Sequence, residues 1–195
     1  MTSRKLAAFA FAVVLVQGCT AWNYEERDQQ VVFKITSWNH DPIEKTVNNA
    51  DASSFKELAH GYAVDKKRAY YKGEFIFNSD PSSFQVIDKA YAKDKNSVYM
   101  GEHKIPEANP GSFVILGDGW AKDEKRIFNY HEVVSAADVS SFGLLKYPWA
   151  IDANNAYYGS SYRDVIVFKG IDPKTFKIIT PFEATDKNGR YSPYK

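Results

Sequence analysis

One spacing constrains this chain more than any other feature. Phe55, Phe84, Phe113 and Phe142 stand 29 residues apart, each preceded by serine at Ser54, Ser83, Ser112 and Ser141. Four positions ahead of each phenylalanine comes Asp51, Asp80, Asn109 or Asp138. Downstream the register continues with an aromatic at Tyr62, Tyr91, Trp120 and Trp149, then alanine at Ala63, Ala92, Ala121 and Ala150. Aspartate follows at Asp65, Asp94, Asp123 and Asp152, and a second aromatic at Tyr70, Tyr99, Phe128 and Tyr157. A shortened fifth copy arrives after a step of 34 residues, with Asp172, Thr175, Phe176, Ala184, Asp186 and Tyr191, and with Glu183 in place of the first aromatic. The extra five residues of that step fall in the segment 159–170. Upstream, Trp38 and Asp41 keep the aromatic-to-aspartate spacing of three, as a degenerate copy would.

A fixed period of this length is the mark of an array whose units share a core, because so short a unit cannot bury its own apolar face. Each unit reads as strands and tight turns. In Asp80-Pro81-Ser82-Ser83 and Asp172-Pro173-Lys174-Thr175, Asp at the first position and Pro at the second fit a type I turn: the proline presets φ and the carboxylate accepts from the backbone ahead. Partial alternation in Phe84-Gln85-Val86-Ile87 and Phe176-Lys177-Ile178-Ile179 reads as half-buried strand. Asp94-Lys95-Asn96-Ser97 is a polar reversal between Tyr91-Ala92-Lys93 and Val98-Tyr99-Met100, and Gly73 and Gly101 mark a second one. No segment sustains a helical apolar stripe. The expectation is an all-β fold of tandem 29-residue repeats, short antiparallel strands and tight turns sharing a stacked aromatic core over residues 50–195.

The N-terminus is of another kind. Arg4 and Lys5 precede an apolar run from Leu6 to Val16, then Gln17, Gly18 and Cys19, the layout of an export signal over residues 1–18. Eleven apolar residues are too few for a helix across a hydrocarbon core about 30 Å thick. Val16-Gln17-Gly18-Cys19 resembles a bacterial lipoprotein cleavage motif, which makes Cys19 the expected site of lipidation and residues 19–49 a linker and N-terminal segment. Such proteins are held to a membrane by acyl chains, and Thr20 after the cysteine fits the outer membrane, facing the periplasm. Cys19 is the only cysteine, so no internal disulfide can form. Loss of Arg4 and Lys5 leaves 23 Lys plus Arg against 24 Asp plus Glu, net −1, without the basic footprint that a nucleic-acid partner needs.

The stretches Asp65-Lys66-Lys67-Arg68-Ala69-Tyr70-Tyr71, Asp94-Lys95-Asn96-Ser97-Val98-Tyr99 and Asp186-Lys187-Asn188-Gly189-Arg190-Tyr191 resemble the signature of the DKNYY family of bacterial repeat proteins. The upstream Asp-Pro-x-Ser-Phe and Tyr-Ala-x-Asp elements accompany it in the same order. Asp123-Glu124-Lys125 and Asp152-Ala153-Asn154 depart from it, leaving the aspartate and the downstream aromatic as the constant positions. The resemblance implies an exported or lipid-anchored protein and no agreed enzymatic activity.

Chemistry should break the period, since an array copies scaffold while an active site is assembled once. His40, His60, His103 and His131 occupy no common repeat position; His131-Glu132 lacks the second histidine of a zinc helix. Gly159-Ser160-Ser161 lacks the second glycine of a nucleophile elbow, and Gly117-Asp118-Gly119 lacks the third of a dinucleotide loop. No catalytic residue, metal or cofactor is expected. The recurring Asp65, Asp94, Asp123, Asp152 and Asp186 could line up as calcium ligands, but calcium wants 6 to 8 oxygens, and lysine follows in three of the five copies. They read as structural turn residues whose carboxylates accept from the backbone two residues on. Partner-binding candidates are the residues that break the period: Trp38, Tyr158, Tyr162 and Arg163.

Three function classes follow. The first is a non-enzymatic envelope lipoprotein acting as a protein-binding module, with an immunity-type inhibitor of a periplasmic toxin as one specific form. The second is a peptidoglycan- or glycan-binding envelope module, and the third a hydrolase of unnamed substrate.

Overall fold

The computed structural model describes residues 21–37, 40–160 and 163–194, with Arg163 described by its backbone. Its repeats are small antiparallel meanders. In the first unit β4 (Lys56–Glu57), β5 (Tyr62–Val64), β6 (Ala69–Tyr71) and β7 (Glu74–Ile76) form one sheet in sequence order. The second unit repeats it with β8 (Gln85–Val86), β9 (Tyr91–Lys93), β10 (Val98–Met100) and β11 (His103–Lys104). The third has β12 (Val114–Gly117), β13 (Trp120–Lys122), β14 (Ile127–Asn129) and β15 (Glu132–Val133). The fourth has β16 (Gly143–Leu144), β17 (Trp149–Ile151), β18 (Asn155–Ser160) and β19 (Arg163–Lys169), and the fifth stops after β20 (Lys177–Thr180), β21 (Glu183–Asp186) and β22 (Gly189–Tyr191). The chain is all-β, as its period predicts. No helix among the described residues is long and apolar enough to cross a membrane.

Period-two alternation turns each sheet into a two-faced plate. Ala63, Tyr70 and Phe55 look back, while Tyr62, Ala69 and Ile76 look forward and meet Ala92, Tyr99, Phe84 and Val86 of the next unit. The same exchange recurs with Tyr91, Val98 and Ile105 against Ala121, Phe128 and Phe113, and with Trp120, Ile127 and Val134 against Ala150, Tyr157 and Phe142. Ring centroids inside these layers lie 4.7 to 6.3 Å apart in tilted or edge-on pairs, the spacing aromatic quadrupoles favour. The core is thus a series of thin aromatic layers between successive plates. The alanine column is the small partner that lets the plates close; Ala63, Ala92, Ala121, Ala150 and Ala184 are all fully buried.

Ahead of the repeats, β1 (Ala21–Arg27), β2 (Gln30–Ser37) and β3 (His40–Thr46) make a longer three-stranded sheet. Its Val31, Phe33, Trp22, Tyr24 and Ile35 cover the backward face of the first unit. Asp41 lies exposed within β3 rather than buried in a turn, so the Trp38 and Asp41 spacing does not carry the repeat's turn into this segment. Tyr24 supplies the equivalence instead: its hydroxyl donates to Gly61 O at 2.9 Å and accepts from Gly73 N at 3.0 Å, as Tyr62 does with Ala90 O and Gly101 N.

The five extra residues lengthen one hairpin. β18 and β19 pair from Asn155 opposite Lys169 to Ser160 opposite Arg163, with a register shift between Tyr158 and Ser160. Gly159 is needed there because a Cβ would stand 2.5 Å from the Trp120 ring and 2.9 Å from Asn129 Nδ2.

Candidate functional site

The recurring polar residues of the repeat are occupied by the scaffold. Asp94 Oδ1 accepts from the backbone N–H of Asn96 at 2.7 Å and of Ser97 at 2.8 Å. Its Oδ2 accepts from the Asp80 N–H at 2.8 Å and from the Tyr99 hydroxyl at 2.7 Å. Asp65, Asp152 and Asp186 repeat the arrangement, the last with Tyr191 on Oδ1; Asp123 has the three backbone donors, since Phe128 has no hydroxyl. Burial works to raise the carboxyl pKa of Asp65, Asp152 and Asp186, but the tyrosine hydroxyl and the three amides outweigh it and hold each below the ordinary carboxylate value. With donors on both oxygens, a cation would have to displace the bonds that close the turn.

The upstream aspartate is tied in as well. Asp80 accepts from Ser82 N and Ser82 Oγ, and Ser83 Oγ in turn accepts from Lys95 N at 3.0 Å. Lys95 Nζ returns to Asp80 at 3.0 Å, Lys187 to Asp172 at 2.6 Å, and Lys66 pairs with Asp51. The lysine of the signature is therefore the counter-ion of the previous turn's aspartate. In the third unit both partners change together: Asn109 Nδ2 donates to Glu124 Oε1 at 2.7 Å.

The four histidines are exposed. The rings of His103 and His131 lie 6.1 Å apart, and His103 Nε2 is 3.4 Å from Glu102. Among the described residues no three His, Cys, Asp or Glu side chains gather as a metal-holding group.

Of the residues expected to meet a partner, Tyr158 is buried and not available on the surface. It is 3% exposed, edge-on to Trp149 at 5.3 Å, and packs among Ala184, Ile166 and Phe168. Its column holds Tyr71, Met100 and Asn129 in the earlier units, and this mixed polarity hid its burial. Arg163 opens β19 opposite Ser160. Cys19, Trp38 and Tyr162 lie outside the described residues.

Two surface features were not legible in the columns. At the turns joining the first and second strands of the last two sheets Leu145, Tyr147 and Phe182 are exposed, as is Ile179 within β20, and Phe182 stacks edge-on with exposed Tyr194 at 5.4 Å. On the far side of the fourth sheet, a groove of about 170 Å³ runs between residues 132–136 and β19, lined by Val134, Ala136, Val165 and Val167 with Glu132 and Asp164. The run Val165-Ile166-Val167-Phe168, apolar at every position beside the insertion, was the available signal.

Residues 62–195, more than half of the chain, match the DKNYY family. No curated protein and no solved structure matches it.

Proposed function

The chain belongs to the DKNYY family, and from that premise we propose that it is a non-enzymatic cell-envelope lipoprotein, anchored through Cys19 in the outer membrane, whose repeat stack binds a protein partner. The observation that carries this reading is the half-exposed aromatic pair of the fifth unit, Phe182 with Tyr194. The repeated polar side chains are consumed in turns, yet Tyr147, Ile179, Phe182 and Tyr194 remain 47 to 55% exposed in the last two units. Phe182 and Tyr194 sit edge-on 5.4 Å apart with both rings about half exposed; an apolar patch kept in water is the usual mark of a surface that is covered in use, and aromatic residues are the commonest anchors of protein interfaces.

The test is co-purification from envelope extract. The full chain should retain a partner, and Phe182→Ser with Tyr194→Ser should lose it with unchanged thermal melting. Retention by that variant, or no partner for the unaltered chain, would defeat the reading. In its immunity-type form the partner is a toxin acting in the periplasm, and the purified chain should block that toxin's activity. Replacing Cys19 by serine should move the protein from the membrane to the soluble fraction.

Exposed Tyr147, Phe182 and Tyr194 also favour a second reading, a glycan-binding module, because aromatic faces stack on sugar rings. It requires the protein to sediment with purified sacculi, and sedimentation lost in the Phe182→Ser, Tyr194→Ser variant would place the glycan on this surface.

A further inference from the structure

The geometry points to the open edge of β19 as a docking site for an extended segment of a protein partner, one in which basic and apolar side chains share a face. The inference rests on the protein-binding reading above and adds a second contact surface with its own chemistry.

Edge strands are usually kept short because their unpaired N–H and C=O groups invite a further strand. This array obeys that rule in its first three units, whose fourth strands β7, β11 and β15 have three, two and two residues. β19 has seven. Its ladder partner is β18, and it ends the order of its sheet. Among the described residues the fifth sheet has three strands, β20, β21 and β22, and none of them pairs with β19.

The direction of the free groups follows from the register. Gly170 N donates to Asn154 O at 2.9 Å, and Phe168 lies opposite Ala156, Ile166 opposite Tyr158. Antiparallel pairs alternate between bonded and non-bonded positions. Phe168 and Ile166 therefore spend their backbone groups on β18, and Val167 and Lys169 direct theirs to the open edge. An incoming strand would meet a row of donors and acceptors already at strand spacing.

The groove beside this edge supplies selectivity. Val134, Ala136, Val165 and Val167 make its apolar part, and its two ionisable residues, Glu132 and Asp164, are both acidic. Strand addition takes affinity from the main chain and selectivity from alternate side chains. On the face of the added strand turned to the groove, an apolar residue would enter between the valines, and basic residues two positions away would answer the carboxylates. Outside the groove, Lys169 at the end of β19 would attract an acidic residue, so the preference for basic residues rests on Glu132 and Asp164 inside it.

The probe is the peptide Thr-Lys-Thr-Val-Thr-Val-Thr-Lys-Thr, offered to the purified full chain in detergent and compared with the same peptide carrying glutamate for lysine. Hydrogen exchange should slow at the amides of Val167 and Lys169 with the lysine peptide, and affinity for it should exceed that for the glutamate peptide by about tenfold or more. Glu132→Lys with Asp164→Lys, both at exposed positions, should reverse that preference. Val167→Pro removes an outward N–H without taking a bond from β18 and should abolish binding; if proline disrupts the hairpin, the charge reversal decides. Equal binding of the two peptides, protection elsewhere on the chain, or no binding overturns the inference. Should the Val167→Pro or charge-reversed chain keep an envelope partner that Phe182→Ser, Tyr194→Ser loses, the edge is not where that partner binds, while the binding-module reading stands. A chain that takes the lysine peptide on this edge but retains no envelope protein keeps the edge and loses the partner reading.

Discussion

The hydroxyls of Tyr62 and Tyr91 hold the same place in successive units and meet opposite fates. Tyr62 donates to Ala90 O at 2.7 Å and accepts from Gly101 N at 3.0 Å, tying its own sheet to the next. Among the described residues the Tyr91 hydroxyl is buried without a partner, and burial pushes its pKa up to about 12. An unpaired buried polar group costs about 1 to 3 kcal/mol, whereas a made hydrogen bond contributes about 1 kcal/mol. Tyr91→Phe should therefore stabilise the fold and Tyr62→Phe destabilise it, each by about 1 kcal/mol in chemical denaturation; shifts of the same sign would contradict this account. The Asn109 and Glu124 pair gives a second residue-level prediction. Asn109→Asp alone sets two carboxylates together and should lower stability, and adding Glu124→Lys, which restores the pairing of Asp80 with Lys95, should recover it. The contact is exposed, so the coupling read from a double-mutant cycle should be about 0.2 to 1 kcal/mol.

At the scale of the element, the repeating object is a turn stapled by one carboxylate to the turn before it. Because hydrogen bonds hold the Asp65, Asp152 and Asp186 pKa values below the ordinary one, their folded values lie under their unfolded values. Their stabilisation is then complete above the unfolded pKa of about 4 and is lost as pH falls through the folded value. Melting temperature followed by circular dichroism should stay level from about pH 7 to about pH 5 and drop below about pH 4, with a shallower drop for Asp152→Asn. An equally steep drop in that variant would remove the staple from the explanation. Much of this element was legible in the sequence, since a column that survives in every unit has to serve what every unit shares. Phe84 and Tyr99 belong to the core and Asp94 to the turn for that reason. The counter-ion role of Lys66, Lys95 and Lys187 was not, because their partners stand 15 residues upstream at the preceding turn, and only the folded chain brings the two turns together. The edge position of β19 was hidden for a similar cause: periodicity shows which way a side chain faces, while strand order decides which backbone groups remain unpaired.

For the whole molecule, a stack of plates raises the question of what stops it. Each of the five apolar layers is shared between neighbouring plates, so the two outermost faces have to be made polar by substitution. On the outer face of the first sheet, Arg27 bridges Glu25 at 2.5 Å and Glu44 at 2.8 Å, with Lys34 3.4 Å from Glu44. At the other end the forward-facing aromatic of Tyr62, Tyr91, Trp120 and Trp149 becomes Glu183, and the apolar position of Ala69, Val98, Ile127 and Ala156 becomes Arg190. The two new residues pair at 3.0 Å across a face where Arg190 is 79% exposed. So exposed an ion pair adds little to stability; its effect is to deny a further plate the layer on which it would stack, as terminal units of repeat arrays do. Restoring the internal pattern with Glu183→Trp and Arg190→Val should leave the unit folded but expose a forward face like that of the fourth sheet. Sedimentation velocity should then show association that grows with protein concentration, while Arg190→Lys, which keeps the charge, should stay at the size of the unaltered chain. If the Trp and Val variant sediments like the unaltered chain at every concentration, the Glu183 and Arg190 pair is not what terminates the stack.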